Sequence, residues 1–260
     1  MRSERVEFPG SQGFALAGRL DQPDNAPGVC ALFAHCFTCS KDIVAASRIA
    51  KGLVEQGLAV LRFDFTGLGH SDGEFSNTNF SSNVEDLVRA ADWLRTRDQA
   101  PSLLVGHSLG GAAVLSVAAD VAELRAVVTI GAPSDPAHVA RLFKADVATI
   151  ERDSEAEVDL AGRTFKIRKQ FLDDISNQHL GERVRRMRKA LLILHSPIDE
   201  IVGIDNAARI YQAARHPKSF IALDGADHLL QRSEDAEYAA TMISCWIRPY
   251  LRRPTPPDVG

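Results

Sequence analysis

The chain has 260 residues, 45% of them hydrophobic and 25% charged, with a formal net charge of -4. This balance suits one well-packed domain and offers no basic excess to draw nucleic acid or anionic lipid. No apolar run approaches the ~18 residues of a membrane span, and the start MRSERVEFPG has no signal-peptide core, so no membrane partner and a cytoplasmic location are expected.

The first elements are strands around Val6 to Phe8 and Ala15 to Leu20, followed by the apolar run VCALFAH from Val29. AASRIAKGLVEQG then places Ile49, Leu53 and Val54 on one helical face and ends at Gly57, suited to the left-handed position after a helix. AVLRFDF from Ala59 is the next strand. NVEDLVRAADWLRT carries a buried stripe of Val84, Leu87, Val88, Ala91 and Leu94, with Trp93 expected to pack rather than to bind a ligand. SLLVGH from Ser102, AVVTIGAP from Ala126, ALLILHS from Ala190 and SFIALDGA from Ser219 complete about eight strands. Their alternation with helical segments predicts an α/β fold with a mostly parallel sheet.

That alternation breaks between Pro133 and Lys189. In this insertion Val158 and Leu160, then Phe165 and Ile167, alternate on either side of Ala161 and Gly162, which predicts a small hairpin followed by a helix. Its position suggests a lid over about 134–189, with a solvated connector as the alternative. A last helix over about Ser233 to Leu251 is expected to bury Cys245 as a small hydrophobe. Residues 1–251 then form a single domain, and RRPTPPDVG, 252–260, a proline-rich tail or linker.

The stretch LLVGHSLGGAAVL carries the chemistry. Gly106-His107-Ser108-Leu109-Gly110 matches G-x-S-x-G between an apolar strand and a helix, the context that forces a serine hydroxyl outward on a sharp turn. A serine at neutral pH needs a base and an acid to orient that base. In the order serine, acid, histidine, Asp199 just past ALLILHS is the expected acid and His228 just past FIALDGA the expected base. Asp205 reads instead as a carboxylate near a helix start, and Asp224 and Asp227 as loop residues around the last strand. His35, His107, His138, His179 and His195 default to satisfied structural histidines.

The third requirement is a pair of N–H groups for the oxyanion, one after the nucleophile and one from the loop after the first parallel strand of the core. Leu109 and Phe37 fill these places. The four cysteines, Cys30, Cys36, Cys39 and Cys245, are too few and clustered for a secreted disulfide framework. The single C-x-x-C beside His35 lacks the remaining ligands of a zinc site. Cys36 and Cys39 either pack in the oxyanion loop or, for Cys36, let oxidation switch the activity off.

Together, AHCFTCSKD, RFDFTGLGHSDGEF, TNFSSNVEDL, GHSLGGAAVL, GAPSDPAHV, LHSPIDEIVGIDNA and HPKSFIALDGADHLL resemble the α/β-hydrolase domain of bacterial proteins that pair a hydrolase with an OsmC-type peroxide-reducing domain. The resemblance spans essentially the whole chain. It implies the α/β-hydrolase fold with eight core strands and a small lid, and a serine esterase or acyl hydrolase activity; such chemistry needs no cofactor, and no metal is expected. It carries Ser108, Asp199 and His228 over as triad and Phe37 and Leu109 as oxyanion donors. A fused member would continue from RRPTPPDVG into a linker and the reducing domain, which makes an OsmC-type redox domain the partner it implies. One departure is Cys36, where many relatives carry glycine after the histidine.

The expected function is cleavage of small or medium carboxylic esters through an acyl-enzyme on Ser108. Two alternatives are a perhydrolase or acyltransferase with peroxide or alcohol as acceptor, and a non-catalytic acyl-binding module that partners a redox domain.

Overall fold

The structure is a computed structural model and describes residues 1–25, 28–160 and 162–252. Ala161 of the expected hairpin turn and residues 253–260 of the expected tail lie outside the described residues.

The strands are β1 (Arg2–Pro9), β2 (Ala15–Gln22), β3 (Cys30–Ala34), β4 (Ala59–Phe63), β5 (Pro101–His107), β6 (Ala126–Ile130), the hairpin β7 (Glu155–Leu160) and β8 (Arg163–Arg168), β9 (Ala190–His195) and β10 (Lys218–Ala222). The helices are α1 (Val44–Glu55), α2 (Phe80–Arg95), α3 (Leu109–Val117), α4 (Val147–Asp153), α5 (Lys169–Ser176), α6 (Leu180–Arg186), α7 (Asp205–Ala213) and α8 (Ser233–Arg252). Eight strands form one sheet in the order β1-β2-β4-β3-β5-β6-β9-β10. The pairs β1/β2 and β2/β4 are antiparallel and all others parallel.

Both faces of the central strands are covered, which is why they read as unbroken apolar runs. On β3 and β9, Ala31, Phe33, Leu192 and Leu194 point to a core shared with α1 and α8. The alternate residues Leu32, Ala34, Leu191 and Ile193 join the other core with α2, α3 and α7. In α1 the expected face of Ile49, Leu53 and Val54 is buried, and Gly57 follows it at φ +92°.

Helix α2 begins where its sequence signals a start. The Asn79 side chain accepts from the Ser82 N–H at 2.8 Å and the Ser82 hydroxyl accepts from the Asn79 N–H at 3.0 Å, so two otherwise unpaired donors are satisfied. Its stripe of Leu87, Ala91 and Leu94 is buried, each leucine contributing about 2 kcal/mol by leaving water, with Val84 and Val88 packed at the margin. Trp93 packs as expected, stacked on Phe8 at 5.4 Å with Arg97 over its ring at 4.9 Å.

Cys245 is a correction. It is exposed, because α8 docks through Ala236, Ala239, Ala240, Ile243 and Ile247, and Cys245 lies off that stripe. No described helix is long and apolar enough to cross a membrane.

The break after β6 holds more structure than the sequence predicts. A 3-10 segment, Pro136–Phe143, and α4 precede the expected hairpin. In the hairpin Val158 faces Phe165, and Val158, Leu160, Phe165 and Ile167 are all buried. Helices α5 and α6 then return the chain to β9.

Candidate active site

Ser108 stands between the end of β5 and the first residue of α3 with φ 55° and ψ -124°, a conformation rare for any residue but glycine. The turn closes this tightly because of its glycines. A Cβ on Gly106 would meet the Gly110 carbonyl oxygen at 2.3 Å, and one on Gly110 would meet the carbonyl oxygens of Ala34 and His35 at 2.4 Å. The absence of those atoms lets the start of α3 close onto both β5 and the loop after β3. The Ser108 N–H donates to the Ile130 carbonyl on neighbouring β6 at 2.8 Å.

The structure brings the three expected residues together from loops after β5, β9 and β10. The Ser108 Oγ lies 3.0 Å from His228 Nε2, and His228 Nδ1 lies 2.7 Å from Asp199 Oδ2. Since a carboxylate accepts, Nδ1 carries the proton and Nε2 presents its lone pair to the serine. The other Asp199 oxygen accepts from the N–H groups of Ile201 and Val202 at 2.9 and 2.8 Å. Burial alone would raise the Asp199 pKa, but the His228 contact and these two N–H groups outweigh it and hold the carboxyl below its ordinary value. The Asp199 carboxyl is therefore ionised and fixed on both oxygens. Its competitors lie elsewhere: Asp205 opens α7 and pairs with Arg209 at 3.0 Å, while Asp224 and Asp227 are exposed.

Three histidines set aside by the sequence sit close to this group, and each is only half satisfied. His35 Nδ1 donates to the Cys36 carbonyl, His107 Nε2 to the His228 carbonyl and His195 Nε2 to the Val202 carbonyl, at 2.8, 2.7 and 2.7 Å. The second ring nitrogen of each is buried without a hydrogen-bond partner among the described residues. Burial lowers all three pKa values, that of His107 to about 4, helped by the neighbouring His228 ring, beside which a second positive charge is unfavourable, so the rings are neutral near pH 7. The contact of His107 was not legible, because its partner, His228, lies 121 residues away.

The loop after β3 corrects one expectation. Cys36 and Cys39 are bonded to each other and are not separate packing thiols; three residues of separation and a Cα–Cα distance of 5.3 Å suit the bond. Between them Phe37 and Leu109 line one small cavity of about 10 Å³ with Phe65, Phe80 and Asn83. Leu109 is the first residue of α3, so its N–H has no intrahelical acceptor. The Phe37 ring is covered by Phe75 at 5.8 Å and by two residues of the insertion, Phe143 at 6.4 Å and Phe171 at 5.3 Å.

Two further residues that the sequence did not single out secure this loop. Asp64, fully buried just after β4, accepts from the Lys41 N–H at 2.6 Å, from Lys41 Nζ at 2.7 Å and from the His70 N–H at 2.9 Å. Burial opposes ionisation of Asp64, yet these donors prevail and its pKa is lowered.

A family model described as the alpha/beta hydrolase family matches residues 31–241. The esterase domain of a Rhodothermus marinus protein has a solved structure that is 50% identical, with a TM-score of 0.79 over 96% of this chain and 100% of that one. An Escherichia coli "uncharacterized 31.7 kDa protein in traX-finO intergenic region" is 30% identical over 122 residues, 46% of this chain but only 42% of its own length. The rat (Rattus norvegicus) palmitoyl-protein thioesterase ABHD10, mitochondrial, is 24% identical over 75% of this chain and 66% of its own.

Proposed function

The chain belongs to the alpha/beta hydrolase family, and we propose that it is a serine hydrolase that cleaves carboxylic esters through an acyl-enzyme on Ser108. The observation that carries this reading is the unbroken run of contacts from Ser108 Oγ to His228 to Asp199, at 3.0 and 2.7 Å.

Ser108 attacks the ester carbonyl carbon while His228 Nε2 takes its proton. Asp199 holds the imidazole in the right tautomer and stabilises the imidazolium that forms. The carbonyl oxygen becomes an oxyanion that accepts from the N–H groups of Leu109 and Phe37, each preorganised donor contributing about 3 kcal/mol in the transition state. The tetrahedral species collapses, the C–O bond to the alcohol breaks, and the alcohol leaves with the proton from His228. Water, deprotonated by His228, then attacks the acyl-enzyme and releases the carboxylic acid and Ser108.

The aromatic cover over Phe37 favours small or medium acyl groups. The name of the rat relative supports thioesters as a second class of acyl donor, since thiolate departure needs the same nucleophile and oxyanion donors. A single domain over 1–251, a lid over 134–189, a cytoplasmic setting and a pairing with an OsmC-type redox domain belong to the same proposal.

The test is hydrolysis of a chromogenic acetyl ester by wild type and by Ser108→Ala. The variant is expected to lose a factor on the order of 10⁴ or more in kcat. Equal rates for the two proteins would overturn the assignment.

A further inference from the structure

This inference rests on the proposed acyl chemistry at Ser108 and concerns the loop that supplies one oxyanion donor. Phe37 lies between two bonded cysteines, in a turn closed by the Cys39 N–H donating to the Cys36 carbonyl at 3.2 Å. Thr38 in that turn has φ +59°. A β-branched residue rarely adopts this left-handed conformation unless its surroundings impose it. The bond from Cys36 to Cys39 spans this residue and leaves the two intervening residues little freedom to relax. Contacts on the Phe37 ring hold the side chain, while the plane of the Cys36–Phe37 peptide, and so the direction of the Phe37 N–H, is set through the Cys36 carbonyl, which accepts from the Cys39 N–H of the bonded turn at 3.2 Å and from His35 Nδ1 at 2.8 Å.

We propose that the Cys36–Cys39 disulfide is a thiol-exchange site whose redox state sets the activity: the bonded loop aims the Phe37 N–H at the oxyanion, and the reduced loop does not. The direction is the reverse of a switch in which oxidation of Cys36 shuts the enzyme down.

Two features make the effect local. The bond closes a loop of only three residues' separation, and the stabilisation a disulfide gives to a whole fold is smallest for short loops. The return of the chain after the turn is held independently, by Asp64 on the backbone and side chain of Lys41. Reduction therefore frees the turn and leaves the domain folded.

The two sulfurs differ in access. Cys36 is buried and Cys39 half-buried, so a dithiol reductant reaches Cys39. Its thiolate attacks the Cys39 sulfur, the Cys36–Cys39 bond breaks, and Cys36 leaves as a thiolate that takes a proton. The second thiol of the reductant then attacks the mixed disulfide and frees Cys39. Two electrons pass to the protein and the reductant ends as its own disulfide. A low-molecular-weight disulfide reverses the sequence. In a reducing compartment such a bond is transient, which is the property an exchange site requires.

The experiment compares acetyl-ester hydrolysis by the native chain after treatment with oxidised and with reduced dithiothreitol, alongside Cys39→Ser and Ser108→Ala. Thiols are counted after denaturation: Cys30 and Cys245 are free in the bonded form, so the count rises from two to four on reduction. Reduction is expected to lower kcat by roughly 10- to 100-fold, a large part of what loss of one oxyanion donor costs. KM and the thermal midpoint should stay nearly constant, and reoxidation should restore the rate. Cys39→Ser should show the low rate in either treatment. Equal kcat at two and four thiols overturns the proposal, as does a bond that resists the dithiol in the native protein or a Cys39→Ser as fast as oxidised wild type. If oxidised wild type is itself no faster than Ser108→Ala, it is the serine chemistry that fails. The wild-type comparison needs no variant to fold.

Discussion

The Nε2–H of His107 donates to the main-chain carbonyl of His228 across 2.7 Å. The residue just before Ser108 thus holds the loop that carries His228, with the two rings 5.2 Å apart. Under the proposed chemistry at Ser108, His107 would act as a positioning residue, through His228 alone. Replacing it with leucine removes the donor and leaves a partly buried carbonyl unpaired. His107→Leu is expected to lower kcat by about 10- to 100-fold, as small misplacements of a base do, with little change in KM. His107→Gln offers an amide N–H of similar reach and should recover much of the rate. Steady-state kinetics of the two variants check this; equal losses in both would mean that the ring matters only as packing.

The same histidine makes the fold acid-sensitive. Its pKa is about 4 in the folded protein against an ordinary 6.5, lowered chiefly by burial. Between those values the unfolded chain binds a proton that the native ring refuses, so stability is full above about pH 6.5 and is lost as pH falls towards 4. At about 1.4 kcal/mol per pKa unit, this one ring accounts for about 3 kcal/mol. His35 and His195 shift in the same direction by burial. Asp64 and Asp199, held below the ordinary value, add a further loss as pH falls below about 4. Urea unfolding between pH 7.5 and 4.5 should show a steep decline in wild type and a shallower one in His107→Gln.

How much of this was legible in the sequence follows from the range of the interactions. The eight strands, the face of α1 and the hairpin with Val158 and Phe165 inside are set by local apolar periods, which the sequence displays directly. Ser108, Asp199 and His228 were placed because each follows a recognisable strand, and the sheet brings those strand ends together. Contacts across the sheet are different. Nothing near His107 announces the His228 carbonyl, and nothing in RFDFTG announces that Asp64 will take the Lys41 ammonium. Cys245 was misplaced because an apolar neighbourhood does not set the phase of a helix; docking of α8 through Ile243 and Ile247 does. The C-x-x-C left bonding undecided, since the same spacing serves free thiols, ligands and disulfides alike.

The glycines of the nucleophile turn give a sharp contrast. A methyl group at Gly110 would stand 2.4 Å from two backbone carbonyl oxygens, at Ala34 and His35, which no side-chain rotation relieves. Gly110→Ala should therefore push α3 away from the loop after β3, with a cost of about 1–3 kcal/mol or more, and separate the Leu109 and Phe37 N–H groups. Gly181, in α6, has nothing within 4 Å of the same methyl, so Gly181→Ala should be neutral or stabilising by up to about 1 kcal/mol. Thermal melts and ester kinetics on both variants test this. A Gly110→Ala enzyme of normal rate would mean that the close approach serves no catalytic end.

Whether the insertion acts as a lid or only as a connector turns on Phe171. Its ring, buried in α5, lies 5.3 Å from the ring of Phe37 and 6.5 Å from that of Phe143. It therefore joins the inserted segment to the loop after β3. Phe171→Ala opens a cavity and should cost about 3–5 kcal/mol, whichever role the insertion has. Phe171→Leu keeps most of the volume and should cost under about 1.5 kcal/mol. Activity separates the roles, provided it is measured well below the melting temperature of each variant. If the insertion braces Phe37, Phe171→Ala loses several-fold in kcat while Phe171→Leu stays near wild type, and a bulkier acyl donor is accepted more readily once the aromatic cover is thinned. If the insertion is only a connector, the alanine variant melts early yet turns over at the wild-type rate with unchanged acyl preference.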